Sequence, residues 1–335
     1  MSNTTNNGPR RVLVLYNSDY DPPAQRFVAR RDVSDVSRAA YQVLDGVTAH
    51  GLDAHILGIE GRDLGETIER IRKIEPDVVF NLTESLAQDS AHEIVMPAVL
   101  DMLHIPFTGS GALALALCLN KPKAKDILMA RGVPTPASYT VERARDAAGV
   151  DLPYPLFVKL AREDASVGIV ADNVVFTRRG LVKRVRELIE EFDQAVLVER
   201  YVEGRELNVT LLGNEVVKAL PFHEIDFSNM PKDKPNIVSY AAKWEEDSPE
   251  YAGTTSVPVK GMPAALRASI LRTATAAFRA LELRDYGRVD IRLADDGTPF
   301  VIDVNPNCDI SPDAGVARAA EVGGMTYAQL LGRIC

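Results

Sequence analysis

Two aspartates, Asp290 and Asp303, are the side chains in this chain best placed to do chemistry together. They lie in Gly287-Arg-Val-Asp-Ile-Arg-Leu293 and Pro299-Phe-Val-Ile-Asp-Val-Asn305. Polar and apolar residues alternate along the first arm and at the end of the second, as in half-buried strands. Asp296-Gly297 between the arms is a two-residue hairpin turn signal. That turn sets Asp295 opposite Thr298, Asp290 opposite Asp303 and Arg288 opposite Asn305. Arg288, Asp290, Asp303 and Asn305 then share one face of the ribbon, because residues two apart do. Val289, Ile291, Ile302 and Val304 point to the other face, the core side. Carboxylates directly across a ladder repel each other, and a cation between them relieves that cost. Two carboxylates and one amide oxygen, with positions left open, suit Mg²⁺ that also holds substrate phosphates. A solvated acidic hairpin with no ligand is the plainer alternative.

Other residues could meet a metal-bound phosphate. Lys159 closes the apolar run Pro155-Leu-Phe-Val-Lys159 and precedes Ala161-Arg-Glu-Asp-Ala-Ser-Val-Gly168. A lysine followed by a small-residue loop can clamp phosphate oxygens with its ammonium and with backbone N–H groups. A surface turn is the alternative. Lys121 and Lys125 lie four apart on one expected helix and could reach the same phosphates, or simply form a solvated face. Glu199 ends a hydrophobic strand, and Glu206 follows across Tyr201-Val-Glu-Gly204. Carboxylates there could accept hydrogen bonds from a ribose or an adenine amine; solvated strand ends are the commoner case.

The elements that must position these residues can be read from periodicity. The first block alternates strands (11–16, 53–57, 76–80) with helices (35–50, 64–74, and 91–103 despite Pro97), which implies a parallel sheet covered by helices. It runs over 11–119, after a polar leader at 1–10. The second block, 120–204, opens with a helix closed by Gly132 and continues as a small α+β unit. Its strands are 155–160, 173–176 and 195–200, and its charged helix is 179–192. The third block, 205–335, has strands at 206–212 and 215–220, a polar excursion at 227–255, a helix at 263–281, the hairpin and a final helix at 327–334. An excursion that long is usually a functional lid or disordered.

Bulk properties narrow the function. The 335 residues are 46% apolar and 25% charged, an ordinary globular composition with room for two or three domains. The net charge of −9 argues against a nucleic-acid partner. The longest apolar run, 111–119, is far too short to cross a membrane. The leader lacks the apolar core of a signal peptide. Three cysteines, few and odd in number, fit a reduced, cytoplasmic setting.

Taken in order, Pro155-Leu-Phe-Val-Lys159, Ser166-Val-Gly-Ile169, Val196-Leu-Val-Glu199, Gly204-Arg-Glu206, Gly287-Arg-Val-Asp290 and Asp303-Val-Asn305 resemble the ATP-grasp fold. More narrowly they resemble D-alanine–D-alanine ligases. Ile105-Pro-Phe-Thr-Gly-Ser-Gly111, Asn120-Lys121 and Gly132-Val-Pro-Thr-Pro136 extend the likeness over about 11–331. The resemblance implies an α/β and α+β chain of three domains: a Rossmann-like N-terminal substrate domain, a small central ATP-grasp subdomain and a C-terminal one. It implies ATP and two Mg²⁺ ions, with Mn²⁺ as the alternative metal, and a homodimer as the family expectation. By the same resemblance, Lys121 and Lys159 contact ATP phosphates, Glu199 lies beside adenine and Glu206 takes the ribose hydroxyls. Asp290, Asp303 and Asn305 hold the metals, and Arg288 steadies an oxyanion. Lys243 belongs to a mobile loop that closes over the γ-phosphate. The reaction implied is carboxylate–amine ligation of amino-acid-like small molecules through an acyl phosphate.

The departures from the family gather in the amino-acid pockets. Where relatives carry two serines this chain has Ala165-Ser166, and where they carry Lys-Tyr it has Lys243-Trp244. The matching N-terminal acid is Asp32 rather than Glu. A site built for one hydrogen-bond pattern discriminates against another. The family's Pro-Gly turn is replaced by Pro306-Asn-Cys-Asp-Ile-Ser-Pro-Asp-Ala-Gly315. Asp309 and Asp313 there either greet a cationic or neutral acceptor or do turn work. Asn81-Leu-Thr-Glu-Ser85 replaces a His-Gly segment at a strand's carboxyl end, which makes Asn81, Thr83 and Glu84 candidate substrate contacts. Cys308 has no activating His nearby in sequence and reads as incidental.

Overall fold

The structure, a computed structural model, describes residues 10–19 and 34–335. Asp32, and the expected leader apart from Arg10, lie outside the described residues. The first unit contains β1 (Arg11–Asn17), α1 (Asp35–Ala49), β2 (Asp53–Ile59), α2 (Leu64–Ile74), β3 (Val78–Leu82), α3 (Val95–Met102) and α4 (Ala112–Leu119), and α5 (Lys121–Ala130) follows, packing Ala124 and Leu128 into the core of the third sheet. Its sheet is parallel, in the order β2-β1-β3. Alternation along β1 divides the core. Val12, Val14 and Tyr16 pack with Ala40, Val43 and Val47 of α1, while Leu13 and Leu15 pack with Ile71, Met96 and Leu100. The expected single helix at 91–103 is a 3-10 turn, Ser90–Ile94, followed by α3. Pro97 falls in the first turn of α3, where a missing N–H leaves no helical bond unmade. The apolar run at 111–119 is mostly α4, which packs Ala114 and Cys118 against the third sheet.

The second sheet contains β4 (Ser138–Val141), β5 (Leu156–Leu160), β6 (Val174–Val175) and β7 (Val196–Arg200), with α6 (Arg178–Phe192) across one face. The strands are antiparallel in the order β4-β7-β5-β6. Leu181, Val185 and Leu188 lie on one face of α6 and bury Leu156, Val158 and Leu160. Lys159, between two of these, is thereby sent to the opposite face.

The third sheet contains β8 (Arg205–Leu212), β9 (Lys218–Ala219), β10 (His223–Asp226), β11 (Thr255–Pro258), β12 (Tyr286–Leu293) and β13 (Pro299–Asn305). Its order is β11-β10-β8-β12-β13, with β9 on β8. The expected strand at 215–220 is reduced to β9. The excursion at 227–255 carries two short helices, α7 (Tyr240–Trp244) and α8 (Pro249–Ala252). Next comes α9 (Ala264–Ala280), which buries Ile270, Ala274 and Phe278 against Leu207, Val209, Val289 and Ile291. The chain ends in α10 (Gly315–Val322) and α11 (Tyr327–Ile334), which return to cover the first sheet.

The hairpin departs from its expected turn. The Ala294 N–H donates to the Thr298 carbonyl at 3.0 Å, and the Gly297 N–H donates to the Ala294 carbonyl at 2.9 Å. The loop is therefore three residues long, closed by Gly297 at φ +82°. Leu293 faces Pro299 and Ile291 faces Val301, one residue off the expected pairing. A register shift between Asp290 and Ile291 then restores Asp290 opposite Asp303 and Arg288 opposite Asn305. The extra residue is Ile302. Val301 takes the core position expected for Ile302, whose side chain instead borders the cleft described below. Bulges commonly re-aim side chains beside functional sites in this way.

Candidate active site

Period-two alternation puts Glu206 and Asn208 of β8 and Arg288, Asp290 and Arg292 of β12 on the sheet face away from α9. That face meets the exposed face of the second sheet across a cleft of about 550 Å³. The cleft is lined by Lys121, Lys159, Ser166, Glu199, Glu206, Lys243, Arg288, Asp290, Asp303 and Asn305. The structure thus brings together every residue to which the resemblance gave a phosphate, nucleotide, metal or catalytic role.

Asp290 is 8% exposed. Arg288 grips it with two bonds, Nε to Oδ1 at 2.7 Å and Nη2 to Oδ2 at 2.9 Å. Asn208, directly opposite on β8, donates to Oδ1 at 2.7 Å. Asp303 is less tied. Its closest ion-pair contact is Lys121 Nζ at 3.7 Å, and 34% of its side chain is open. Burial disfavours the Asp303 carboxylate, but Lys121, Lys159, Lys243 and Arg288 together outweigh it and hold its pKa below the ordinary value. Two carboxylates and the Asn305 amide offer only oxygen donors, so a hard cation such as Mg²⁺ fits them. No cluster of three His, Cys, Asp or Glu suited to a metal occurs among the described residues. An ion held here would therefore complete its shell with substrate oxygens or water.

The lysines divide into two groups. Lys121 Nζ bonds Asp164 Oδ1 at 2.6 Å and the Glu163 carbonyl at 2.7 Å. Glu199, 2% exposed, lies between Lys125 at 2.5 Å and Lys159 at 3.0 Å. Burial opposes its ionisation, yet the two ammonium groups prevail and depress its pKa. Lys159 also donates to the carbonyl of the bulge residue Ile302 at 2.9 Å, which links the two sheets. Glu206 pairs with Arg292 at 2.8 Å. Burial raises the Glu206 pKa, and Arg292 works against that rise.

The excursion is fastened to the loop after Lys159. The Trp244 indole N–H donates to the Ala165 carbonyl at 3.1 Å, and Ser166 Oγ donates to the Val238 carbonyl at 3.1 Å. The Tyr240 N–H donates to the Ile169 carbonyl at 2.9 Å. Ala165 and Ser166 both take positive φ, 53° and 63°, a conformation non-glycine residues adopt at a cost. Lys243, next to Trp244, faces the carboxylates. Burial and Arg288 lower its pKa, while Asp290 and Asp303 resist.

The expected substrate contacts fare differently. Trp244 does not line the cleft; its ring N–H is spent on Ala165. Asp309 Oδ1 accepts from the Ser311 N–H at 2.8 Å and the Ser311 hydroxyl at 2.6 Å, which is turn work. Asp313 is exposed. Asn81 is buried and accepts from the Thr83 hydroxyl at 2.8 Å. Glu84 is exposed at the surface, yet protein packs around its carboxylate. Desolvation by that packing, with Asp309 and Asp164 nearby, raises its pKa to about 7.

Sequence reading passed over Asn208, Arg292, Glu93 and Asn307, and it carried Lys121 forward without Lys125. A signal existed for the first two. Each lies two residues from an assigned acid on the same strand, and so on the same face.

A lysine- and carboxylate-lined cleft between two antiparallel sheets, with a helix-covered parallel sheet beside it, defines a mixed α/β protein of the ATP-grasp fold. Solved structures match over nearly the whole chain. The D-alanine–D-alanine ligase of Bacillus anthracis complexed with ATP aligns with a TM-score of 0.71 at 20% identity, covering 98% of this chain and 96% of that one. The VanG D-Ala:D-Ser ligase of Enterococcus faecalis aligns with a TM-score of 0.71 at 19% identity, covering 97% and 98%. The family model for the D-Ala-D-Ala ligase C-terminus matches residues 129–335. The D-alanine–D-alanine ligase of Chromohalobacter salexigens is 30% identical over 330 residues, 97% of this chain and 93% of the relative. The uncharacterized protein y4sG of Sinorhizobium fredii is 33% identical over 277 residues, 80% of this chain and 78% of the relative. The chain belongs to the D-alanine–D-alanine ligase family, whose members are ATP-dependent ligases that act on small molecules and use ATP and Mg²⁺. No helix among the described residues is long and apolar enough to cross a membrane.

Proposed function

We propose that this protein joins a carboxylate to an amine with ATP, through an acyl phosphate, and that its substrates are not two D-alanines. The observation that carries the reading is that Lys121, Lys159, Lys243 and Arg288 line one cleft with Asp290, Asp303 and Asn305. Cations set beside oxygen ligands for a hard ion suit a site that receives a metal-bound polyphosphate. Asp290, Asp303 and Asn305 would hold Mg²⁺, which when bound neutralises phosphate charge. Lys121, Lys159 and Lys243 bind and orient the phosphates, and Glu199 and Glu206 take the adenine and ribose ends. The γ-phosphoryl passes to the substrate carboxylate, forming an acyl phosphate and releasing ADP. The amine then attacks the acyl carbon, the tetrahedral oxyanion is held by Arg288, and phosphate leaves with the amine's proton lost to solvent. The excursion over the cleft keeps water from the acyl phosphate.

Support for different substrates comes from Ala165 and Trp244. They meet through a backbone carbonyl and an indole N–H, so the hydrogen-bond network of relatives at these positions is not reproduced. The second reading, a D-alanine–D-alanine ligase with an altered pocket, draws on relatives of that name. Mass spectrometry after incubation with ATP, Mg²⁺ and D-alanine alone separates the two. We expect no dipeptide; efficient dipeptide formation would establish the second reading instead.

A further inference from the structure

Asn307 ties the metal-facing hairpin to the first sheet, and every polar group of its side chain takes part. Its backbone N–H donates to Asn305 Oδ1 at 3.0 Å. Its amide nitrogen donates to Glu93 Oε1 at 2.8 Å and to the Thr83 carbonyl at 3.2 Å. Its amide oxygen faces the hydroxyl of the fully buried Tyr286 at 3.5 Å. Thr83 directly follows β3 and is itself fully buried, and Glu93 lies on the 3-10 turn before α3. Both belong to the carboxyl-end wall of the parallel sheet, where ligands of open α/β sheets bind. A carboxamide suits this position because it has two N–H donors and one acceptor. Aspartate would lose both donors and turn a charge toward Glu93.

We propose that Asn307 is a positioning residue that sets the orientation of Asn305 and couples it to the wall formed by Thr83 and Glu93. The bond from its backbone N–H fixes which end of the Asn305 amide is the oxygen and where that oxygen sits. The side-chain bonds fix where the backbone N–H sits. A shift of the substrate wall therefore moves an oxygen donor on the metal face. Partners of this kind, one step removed from the ion, typically change metal affinity 10- to 100-fold when removed.

The inference rests on the functional reading above, and its test does not use turnover. Binding of a non-hydrolysable ATP analogue is measured by calorimetry across a Mg²⁺ series, for the unaltered protein, Asn307→Ala and Glu93→Ala. Thermal midpoints without ligand verify folding. We expect Asn307→Ala to raise the Mg²⁺ concentration for half-maximal analogue binding about ten-fold. Glu93→Ala, which leaves the Asn307 side-chain bonds to Thr83 and Tyr286 in place, should raise it by a smaller factor. An unchanged Mg²⁺ dependence in a folded Asn307→Ala overturns the positioning role. An unchanged dependence in Glu93→Ala, the variant that also serves should Asn307→Ala not fold, overturns the coupling to the wall. If the unaltered protein binds no analogue at any Mg²⁺ concentration, the functional reading falls with it.

Discussion

Replacing Glu199 by glutamine should be among the most damaging isosteric changes available in the cleft. The carboxylate is 2% exposed and holds Lys125 and Lys159, which are 5% and 6% exposed. Glutamine keeps the shape but leaves two buried ammonium groups beside each other with no carboxylate in contact. Removing one partner from a buried ion pair costs about 3–5 kcal/mol, chiefly through the charge left behind. The change should therefore lower stability at pH 7 by about that amount. The sign with pH follows from the depressed pKa. Glu199 contributes its stability above its unfolded value, near 4.5, and loses it as pH falls through the lower folded value. The gap between the unaltered protein and the variant should be full above about pH 5 and shrink in acid. Lys125→Met in the same chain removes one of the stranded cations. The double variant should then lose less than the sum of the single losses, with a coupling of roughly 0.5–3 kcal/mol. Urea titration followed by circular dichroism measures the totals. Hydrogen exchange on β5 and β7 localises the effect, since a chain of several units need not unfold in two states. A Glu199→Gln variant within about 0.5 kcal/mol of the unaltered protein, or strict additivity in the cycle, would refute the reasoning.

Three further outcomes can be stated. Asp303→Ala should lower MgATP-dependent turnover at least about a hundred-fold, a loss of about 2.7 kcal/mol of transition-state stabilisation; steady-state ADP release measures it, and full activity would remove Asp303 from the metal face. Trp244→Phe keeps an aromatic ring but loses the N–H that holds Ala165, a bond worth about 1 kcal/mol. More ADP should then form per product, and an unchanged ratio would show that the indole does not hold the excursion closed. Glu93 is raised to about 8 by burial, against the hydrogen bond from Asn307. The protein therefore loses stability as pH rises from Glu93's unfolded value, near 4.5, toward 8, and Glu93→Gln should remove that part of the slope. Equal slopes in thermal melts of the two proteins would contradict the assignment.

The sequence made the chemistry more legible than the geometry that delivers it. Residues 64–74 and 327–334 matched their helices because apolar spacing and end signals agreed. The Asp290–Asp303 pair was expected for an incomplete reason. The Asp295-Asp296-Gly297 loop is one residue longer than the Asp-Gly signal suggests, and the bulge at Ile302 compensates. Neither feature has a strong local signature, and Ile302 looks like any core isoleucine until its partner strand is known. The excursion carried the least pattern. Its short helices, α7 and α8, are stabilised by contacts with the 163–169 loop and with each other rather than by their own periodicity. The links through Asn307 join residues more than 200 positions apart, and no local pattern encodes them.

The most direct test of the account is a matrix of carboxylic acids against amines, assayed for MgATP-dependent ADP and phosphate release, with each product identified by mass. The account predicts a pair other than two D-alanines for which ADP, phosphate and a new C–N bond form in equal amounts. Equal or better turnover with D-alanine alone, or binding of ATP with no turnover across the matrix, would contradict it.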